Sequence, residues 1–179
     1  MNLYLVRHGK TEYNKKRLYQ GRTDIPLSLD GRAECFRLSK ELRGVEFDVV
    51  YSSPLIRALE TAEIVAPSSK VIVDNRIIER DLGDYEGTSF ANENGNIDER
   101  FDDLNLNYSE KNVEGIKSLF DRVTNFIEEI KEKHKDKNVL IVTHNGAINV
   151  INHYINGLPK DGRLKYKKMG NTNYVKYEL

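Results

Sequence analysis

Short apolar runs and longer amphipathic stretches alternate along the chain. A short, continuous apolar run is typical of a buried strand, and apolar residues at three- and four-residue spacing indicate a helix with one buried face. The first pattern predicts strands over residues 2–6, 47–51, 70–74, 139–143 and 173–178. The second predicts helices over residues 30–43, 54–66, 112–134 and 145–156. Because strands and helices alternate, we expect an α/β protein with a mainly parallel central sheet and helices on both faces.

The length and composition of the chain favour one domain. Its 179 residues can bury a sizeable core. No Pro- or Gly-rich linker divides them, so we predict a single domain over residues 1–179. The segment 88–112 is polar, acidic and without hydrophobic periodicity. A segment of that length and character is expected to be a lid or an insertion beside the functional site.

The overall charge is balanced, with 28 Lys and Arg residues against 28 Asp and Glu residues. A protein that binds polyanions in general would be more basic, so we expect neither nucleic acid nor an anionic membrane as a partner. No apolar stretch approaches membrane-spanning length, and Arg7 and His8 interrupt the first apolar run too early for a signal peptide. The single cysteine, Cys35, excludes an internal disulfide. These features favour a cytoplasmic protein.

Basic and imidazole side chains follow the ends of three predicted strands. The tripeptide Arg-His-Gly (residues 7–9) follows the first strand, Arg57 follows the second, and His-Asn-Gly (residues 144–146) follows the fourth. In open α/β sheets, ligands bind at the carboxyl ends of the strands. Arginine is suited to phosphate oxygens, and histidine can act as a nucleophile or a base. We therefore expect these distant segments to form one anion-binding site.

Five blocks of the chain, in order, resemble the histidine phosphatase superfamily, the phosphoglycerate mutase-like proteins. They are LVRHGKTEYN at 5–14, QGRTDIPLS at 20–28, SSPLIRALETA at 52–62, ERDLGDYEG at 79–87 and VTHNG at 142–146. The resemblance implies a three-layer α/β sandwich of the phosphoglycerate mutase type. It also implies an enzyme that acts on phosphate esters without a cofactor.

Cleavage of a phosphate ester requires positive charge at the phosphoryl oxygens, an in-line nucleophile and a proton for the leaving oxygen. His8 is the expected nucleophile, because an imidazole nitrogen can attack phosphorus and form a phosphohistidine. Arg7, Arg57 and His144 are the expected clamp on the oxygens. His144 can serve as an imidazolium beside a bound phosphate, although it could also simply cap the helix that follows it.

The acid that protonates the leaving oxygen is expected to be Glu79. Asp81, Asp84 and Glu86 lie close to it in the sequence, and only the family resemblance selects Glu79 among them. Further substrate contacts, besides the clamp, are expected from Asn14, Gln20, Gly21 and Asn145. Asn14 could equally be an ordinary loop amide.

A metal site is the main chemical alternative, since two histidines and a glutamate could bind zinc. The sequence has no closely spaced ligand pair, and Arg7 beside His8 would repel a dication. His134 and His153 are expected on helix surfaces. We therefore predict no metal and no cofactor.

The resemblance leaves open hydrolysis of a phosphomonoester or phosphoryl transfer within a sugar acid. The segment 88–112 carries only Arg100 and Lys111 as cations, so it lacks the charges that would hold a second carboxylate or phosphate of a mutase substrate. We expect a metal-independent phosphatase that hydrolyses small phosphorylated metabolites through a phosphohistidine. The alternatives are a phosphoglycerate-type mutase and a catalytically idle phospho-ligand-binding protein. The patterns do not indicate an oligomeric state.

Overall fold

The computed structural model describes residues 1–90, 99–106, 108–164 and 167–179. Its centre is a sheet with the strand order β3-β2-β4-β1-β5. The strands are β1 (Asn2–Arg7), β2 (Val49–Ser52), β3 (Val71–Val73), β4 (Asn138–Thr143) and β5 (Tyr174–Glu178). The pairs β1–β4, β2–β4 and β2–β3 are parallel, and β5 runs antiparallel along the free edge of β1.

Helices cover both faces of this sheet. They are α1 (Glu12–Lys16), α2 (Leu29–Glu41), α3 (Ile56–Val65), α4 (Ile116–Lys133) and α5 (Asn145–Asn156). Short 3-10 helices occur at Asn75–Ile77, Gly83–Tyr85 and Glu99–Asp102. The α/β class predicted from the alternation of elements is confirmed.

Two apolar clusters fill the space between the three layers. On one face, Leu5 and Ile141 of the sheet pack with the apolar stripe of α4 and with α5. On the other face, Val6 and Leu140 pack with residues of α2 and α3. Successive strand residues point to opposite faces, so each central strand contributes to both clusters. This explains why β1 and β4 are continuously apolar and not alternating.

The helix ends depart from the predicted ones for local reasons. α4 begins at Ile116 and not at residue 112, because Lys111 and Asn112 have positive φ angles of 53° and 61° that no right-handed helix contains. The five-residue α1 was missed because it is too short to show a hydrophobic period. Thr11 starts it through a capping box with Asn14. Ser28 caps α2 by accepting from the Gly31 N–H.

The sheet brings the predicted site segments to one edge. In the parallel register Arg7 lies opposite Thr143, and Ser52 lies opposite Val142. The hydrogen bond from the His8 N–H to the Thr143 carbonyl, 3.0 Å long, continues the pairing one residue beyond the strand. The chain therefore leaves three adjacent strands at the same level.

Residues 91–98 and 107 of the predicted lid or insertion lie outside the described residues. Of its described residues, 99–106 contact the body of the protein. Phe101 is buried, and its carbonyl accepts a hydrogen bond of 2.6 Å from the Arg80 guanidinium. Within the described ranges, no helix combines the length and apolar character needed to cross a bilayer.

The core makes a direct prediction about stability. Phe126 of α4 is fully buried and meets the ring of Tyr51 edge to face, with 5.2 Å between the centroids. We expect Phe126→Ala to lower the free energy of unfolding by about 3–5 kcal/mol, through lost burial and an unfilled cavity. Phe36, which is 57% exposed, is the matched control, and Phe36→Ala should change stability by no more than about 0.5 kcal/mol. Urea unfolding measures both, and equal losses would contradict this assignment of the core.

Candidate active site

A cavity of about 310 Å³ opens where β1, β2 and β4 end. Cationic, polar and apolar side chains all contribute to its lining. The residues that line it are Arg7, His8, Asn14, Leu18, Tyr19, Gln20, Gly21, Arg57, Glu79, Leu82, Phe90, Asn145, Lys168 and Asn171. Most of the site residues predicted from the sequence therefore meet in one place.

The hydrogen bond of His8 determines which of its ring nitrogens can react. Nδ1 lies 2.7 Å from the carbonyl oxygen of Gly9. A carbonyl can only accept, so Nδ1 carries the proton, and in the neutral ring Nε2 keeps its lone pair. Burial, followed by the positive charges of Arg57 and Arg7, holds the pKa of His8 well below its usual value. The imidazole is therefore neutral at physiological pH, as a nitrogen nucleophile must be.

The turn that carries His8 is tied to α3 through Thr61. The Gly9 N–H donates to Thr61 Oγ1 at 2.9 Å, and the same hydroxyl donates to the Arg57 carbonyl at 2.7 Å. A side chain at position 9 has no room, because a Cβ there would lie 2.7 Å from Cys35 Sγ. The glycine is therefore required for close approach between this turn and α2.

Arg57 is the more deeply buried of the two arginines. Its two terminal nitrogens donate to the carbonyl oxygens of Thr23 and Gly21, at 2.8 and 2.7 Å. Its Nε is also buried and has no hydrogen-bond partner among the described residues. Burial lowers the pKa of Arg57 to about 10, a shift that the charge of Glu79 opposes. The guanidinium thus remains charged at neutral pH.

His144 lies directly behind His8, with 5.0 Å between the ring centroids. It is fully buried and is not among the residues that line the cavity. It occupies the N-cap position of α5, but its side chain caps nothing there. Instead, Nε2 shares a 2.7 Å hydrogen bond with Ser53 Oγ, while the buried Nδ1 has no partner among the described residues. Burial and the charge of Arg57 hold the pKa of His144 well below its usual value.

Glu79 is the carboxylate that lines the cavity. Its side chain accepts from the backbone N–H of Arg80 at 2.8 Å and from that of Gly146 at 3.1 Å. The second bond ties it to the first turn of α5. A Cβ at Gly146 would collide with the Glu79 carboxylate, so the glycine after His144 and Asn145 makes room for this side chain.

The neighbouring carboxylates have other partners. Glu86 accepts from the backbone N–H groups of Arg22 and Thr23, at 2.7 and 2.8 Å, and so holds the loop that contains Gly21. Asp81 accepts from the Gly83 N–H at 2.9 Å, and Asp84 accepts from Asn112 at 3.0 Å. None of the three lines the described cavity. Of the four carboxylates that lie close together in the sequence, Glu79 alone lines this cavity.

The predicted secondary contacts all lie in the cavity wall. Gln20 accepts a 2.8 Å bond from Thr11 Oγ1, and Asn14 shares a capping box with the same residue. Gly21 has a positive φ of 50°. Asn145 uses its Oδ1 to accept from the Met169 N–H at 2.8 Å. Each amide is therefore held in place by the protein itself.

Sequence reasoning missed the apolar part of the lining and the C-terminal wall. The apolar part consists of Leu18, Tyr19, Leu82 and Phe90. The wall contains Lys168 and Asn171, and the Asn171 amide donates to the His8 carbonyl at 3.0 Å. None of these residues stands in a strand-end pattern. The only available signal was the loop position of Asn171 directly before the last predicted strand.

A cluster of three or more His, Cys, Asp or Glu side chains that could hold a metal ion does not occur within the described part of the chain. Arg7, Arg57 and a His8 ring that is neutral in the free protein line the cavity, with the buried His144 next to His8. Such an arrangement suits a tetrahedral oxyanion.

The chain belongs to the histidine phosphatase superfamily (branch 1), whose family model matches residues 3–179. It is 34% identical over 165 residues to a putative phosphoserine phosphatase 2 of Hydrogenobacter thermophilus, covering 87% of this chain and 79% of that protein. It superposes on YhfR of Bacillus stearothermophilus with a TM-score of 0.85 and 33% identity, over 99% of this chain and 91% of the other.

Phosphoserine phosphatase of Entamoeba histolytica is also similar. A mutant in complex with phosphoserine has a TM-score of 0.83 and 26% identity, over 98% of this chain and 89% of the other. A second structure, in complex with 3-phosphoglyceric acid, has the same TM-score and 27% identity. The predicted family and three-layer fold are confirmed by these comparisons, and so is the predicted phosphatase class.

The buried histidines make a prediction about titration. In the ligand-free protein both rings should stay neutral as the pH falls through the usual histidine range, because burial and Arg57 oppose a second proton. His8 should carry its proton on Nδ1. The 15N chemical shifts of labelled histidine rings report both properties, and the chain unfolded in urea supplies the reference titration. A protonated His8 ring at pH 6 in the folded protein would contradict this prediction.

Proposed function

We propose that this protein hydrolyses small phosphomonoesters through a phosphohistidine formed on Nε2 of His8. One observation supports this role above all. Because Nδ1 donates to the Gly9 carbonyl, Nε2 of the neutral ring carries no proton. The cavity that His8 lines is also lined by Arg7, Arg57 and Glu79. A nucleophile, permanent positive charge and a carboxylic group therefore lie within one small space.

In the first step, the Nε2 lone pair attacks phosphorus. The nitrogen–phosphorus bond forms as the bond from phosphorus to the ester oxygen breaks. Glu79, in its protonated form, donates a proton to that oxygen, and the alcohol leaves. In the second step, Glu79 removes a proton from water, whose oxygen attacks phosphorus and breaks the bond to Nε2. The products are the alcohol and free phosphate, and His8 returns to its neutral form.

Arg7, Arg57 and His144 stabilise the charge that spreads over the phosphoryl oxygens. The unpartnered Nε of Arg57 and Nδ1 of His144 are buried donors that a phosphoryl oxygen would satisfy. An anion beside His144 raises the pKa of its ring, so phosphate binding favours the imidazolium that burial otherwise opposes. Asn14, Gln20, Gly21 and Asn145 complete the contacts to the substrate.

Hydrolysis is favoured over phosphoryl transfer between two positions of one substrate. The cations of the segment 88–112 are engaged elsewhere: Arg100 lies over the ring of Tyr108 at 4.3 Å, and Lys111 over that of Tyr85 at 4.8 Å. Neither lines the described cavity. This segment therefore offers no described cation to hold a substrate while it reorients.

The proposal extends to the size of the substrate and to the chain as a whole. A cavity of about 310 Å³ suits a small metabolite, and one related phosphatase, that of Entamoeba histolytica, has been seen with phosphoserine and with 3-phosphoglyceric acid bound. We also infer a single domain over residues 1–179, and the start of the predicted lid or insertion lies at the cavity, since Phe90 lines it. Location in the cytoplasm is part of the same proposal and agrees with the free thiol of Cys35.

The phosphohistidine can be trapped. Rapid quench with 32P-labelled phosphoserine should give a protein label that is stable in alkali and labile in acid, and EDTA should not prevent it. His8→Ala should abolish the label. His153 lies in the last turn of α5 and does not line the cavity, so His153→Ala should retain the label. A label on another residue, or full turnover by His8→Ala, would remove His8 as the nucleophile.

Glu79 and Arg57 should respond differently to the leaving group. Glu79→Gln should lower kcat/KM for an alkyl phosphate about a hundred- to ten-thousand-fold, and far less for p-nitrophenyl phosphate, because nitrophenolate leaves without a proton. Arg57→Lys keeps one positive charge but loses the planar, two-pronged guanidinium. The kcat/KM values of both substrates should therefore fall by a similar factor. Circular dichroism checks that both variants fold. Equal losses for the two esters in Glu79→Gln would exclude Glu79 as the proton donor.

A further inference from the structure

A buried carboxylate, Glu114, lies just before α4 and joins two arginines from different segments. Its side chain is only 9% exposed. Both carboxylate oxygens accept from Arg122 of α4, at 2.8 Å each, and one of them also accepts from Arg22 at 3.1 Å. Burial disfavours the charged form, but the hydrogen bonds and the charge of Arg122 outweigh it and hold the pKa of Glu114 below its usual value. Glu114 is therefore a negatively charged bridge between the two guanidinium groups.

The two arginines share a second acceptor, which is the backbone carbonyl of Glu79. Arg22 Nε donates to this oxygen at 3.2 Å, and a terminal nitrogen of Arg122 donates to it at 3.1 Å. The other terminal nitrogen of Arg122 donates to the Ile78 carbonyl at 2.7 Å. The backbone that carries Glu79 is therefore held by one side chain from α4 and one from the loop after α1.

The peptide between Glu79 and Arg80 connects this network to the cavity. Its carbonyl accepts from the two arginines, and its N–H donates to the Glu79 carboxylate at 2.8 Å. A trans peptide is planar, and its C=O and N–H point in opposite directions. Fixing the direction of the carbonyl therefore also fixes the N–H that holds the carboxylate in the cavity wall.

We propose that Glu114 is a positioning residue for Glu79 and acts through Arg22 and Arg122. The inference rests on the proposed function, in which Glu79 transfers protons, and adds to it the group that keeps this carboxylate in place. Glu114 does not itself line the described cavity. Without its charge, two guanidinium groups at one carbonyl would repel each other, and the peptide that they hold would lose its fixed orientation.

Two aryl esters that differ only in a nitro group test this role. The leaving oxygen of phenyl phosphate is more basic than that of p-nitrophenyl phosphate, so its departure depends more on a proton from Glu79. Glu114→Gln keeps the size of the side chain and removes its charge. It should lower kcat/KM for phenyl phosphate about ten- to a hundredfold, and for p-nitrophenyl phosphate by a smaller factor. The Kd of inorganic phosphate, measured by calorimetry, should change by no more than about twofold, because Arg7 and Arg57 are left in place.

A double-mutant cycle shows whether the effect passes through Glu79. On a Glu79→Gln background, Glu114→Gln should lower kcat/KM for phenyl phosphate by no more than about twofold, because the group that it positions no longer transfers a proton. The same loss on both backgrounds would overturn the inference. Equal losses for the two esters in Glu114→Gln would overturn it as well.

Two further variants distinguish positioning from a general loss of folding. Asp103 is the matched control, because it is also a buried carboxylate that pairs with an arginine, Arg163, at 3.4 Å, and none of its described hydrogen bonds reaches Glu79. Asp103→Asn should leave the ratio of kcat/KM for phenyl phosphate to that for p-nitrophenyl phosphate unchanged. Arg22→Met removes one of the two donors to the Glu79 carbonyl from a half-buried position, so it should keep the fold and lower this ratio less than Glu114→Gln does. An equal fall of the ratio in Asp103→Asn and Glu114→Gln would contradict the proposed role.

Hydrogen exchange at the Arg80 amide separates this inference from the proposed function. NMR should show that this amide exchanges about tenfold faster or more in Glu114→Gln than in the wild-type protein, whether or not any ester is hydrolysed. If it does, and Glu79→Gln treats the two esters alike, Glu79 is not the proton donor but its positioning by Glu114 stands. If Glu79→Gln discriminates between the esters while Glu114→Gln has the wild-type exchange rate and ester ratio, the positioning alone is wrong.

Discussion

Parallel pairing of β4 with both β1 and β2 is the constraint on which the candidate site depends. The register places Arg7 opposite Thr143 and Ser52 opposite Val142, so the chain leaves the three strands at one level. The first residues beyond the strands are then His8, Ser53 and His144. Their proximity, with 5.0 Å between the histidine rings and 2.7 Å between His144 and Ser53, follows from backbone pairing and needs no attraction between the side chains.

Burial gives these groups their chemical character. It keeps both imidazoles neutral and lowers the pKa of Arg57 to about 10 without discharging it at neutral pH. The cost of burying that guanidinium is offset by the carbonyl oxygens of Gly21 and Thr23. Positive charge in a poorly solvated cavity attracts a phosphoryl group far more strongly than it would in water. The same desolvation therefore keeps His8 neutral and strengthens the electrostatic effect of the arginines beside it.

Part of the cavity lining comes from the C-terminal part of the chain. Residues 167–171 form a wall of the cavity because Asn145 and Asn149 of α5 hold their backbone, and because Asn171 bonds to the turn at His8. Asn145 thus connects the two segments, since it belongs to the block that supplies His144 and also anchors the loop of Lys168.

The sequence by itself determined the fold class and the groups at the strand ends. Apolar runs and strand-end motifs are local, and they predicted β1, β2 and β4 together with the placement of Arg7, His8 and Arg57 around one cavity. The family resemblance was needed to choose Glu79, and the structure explains the choice, because Gly146 leaves room for its carboxylate. The tautomer of His8, the position of His144 behind the cavity wall and the wall formed by Lys168 were decided by the tertiary structure alone. Each depends on hydrogen bonds or burial between segments far apart in the chain, and no local pattern of residues encodes such contacts.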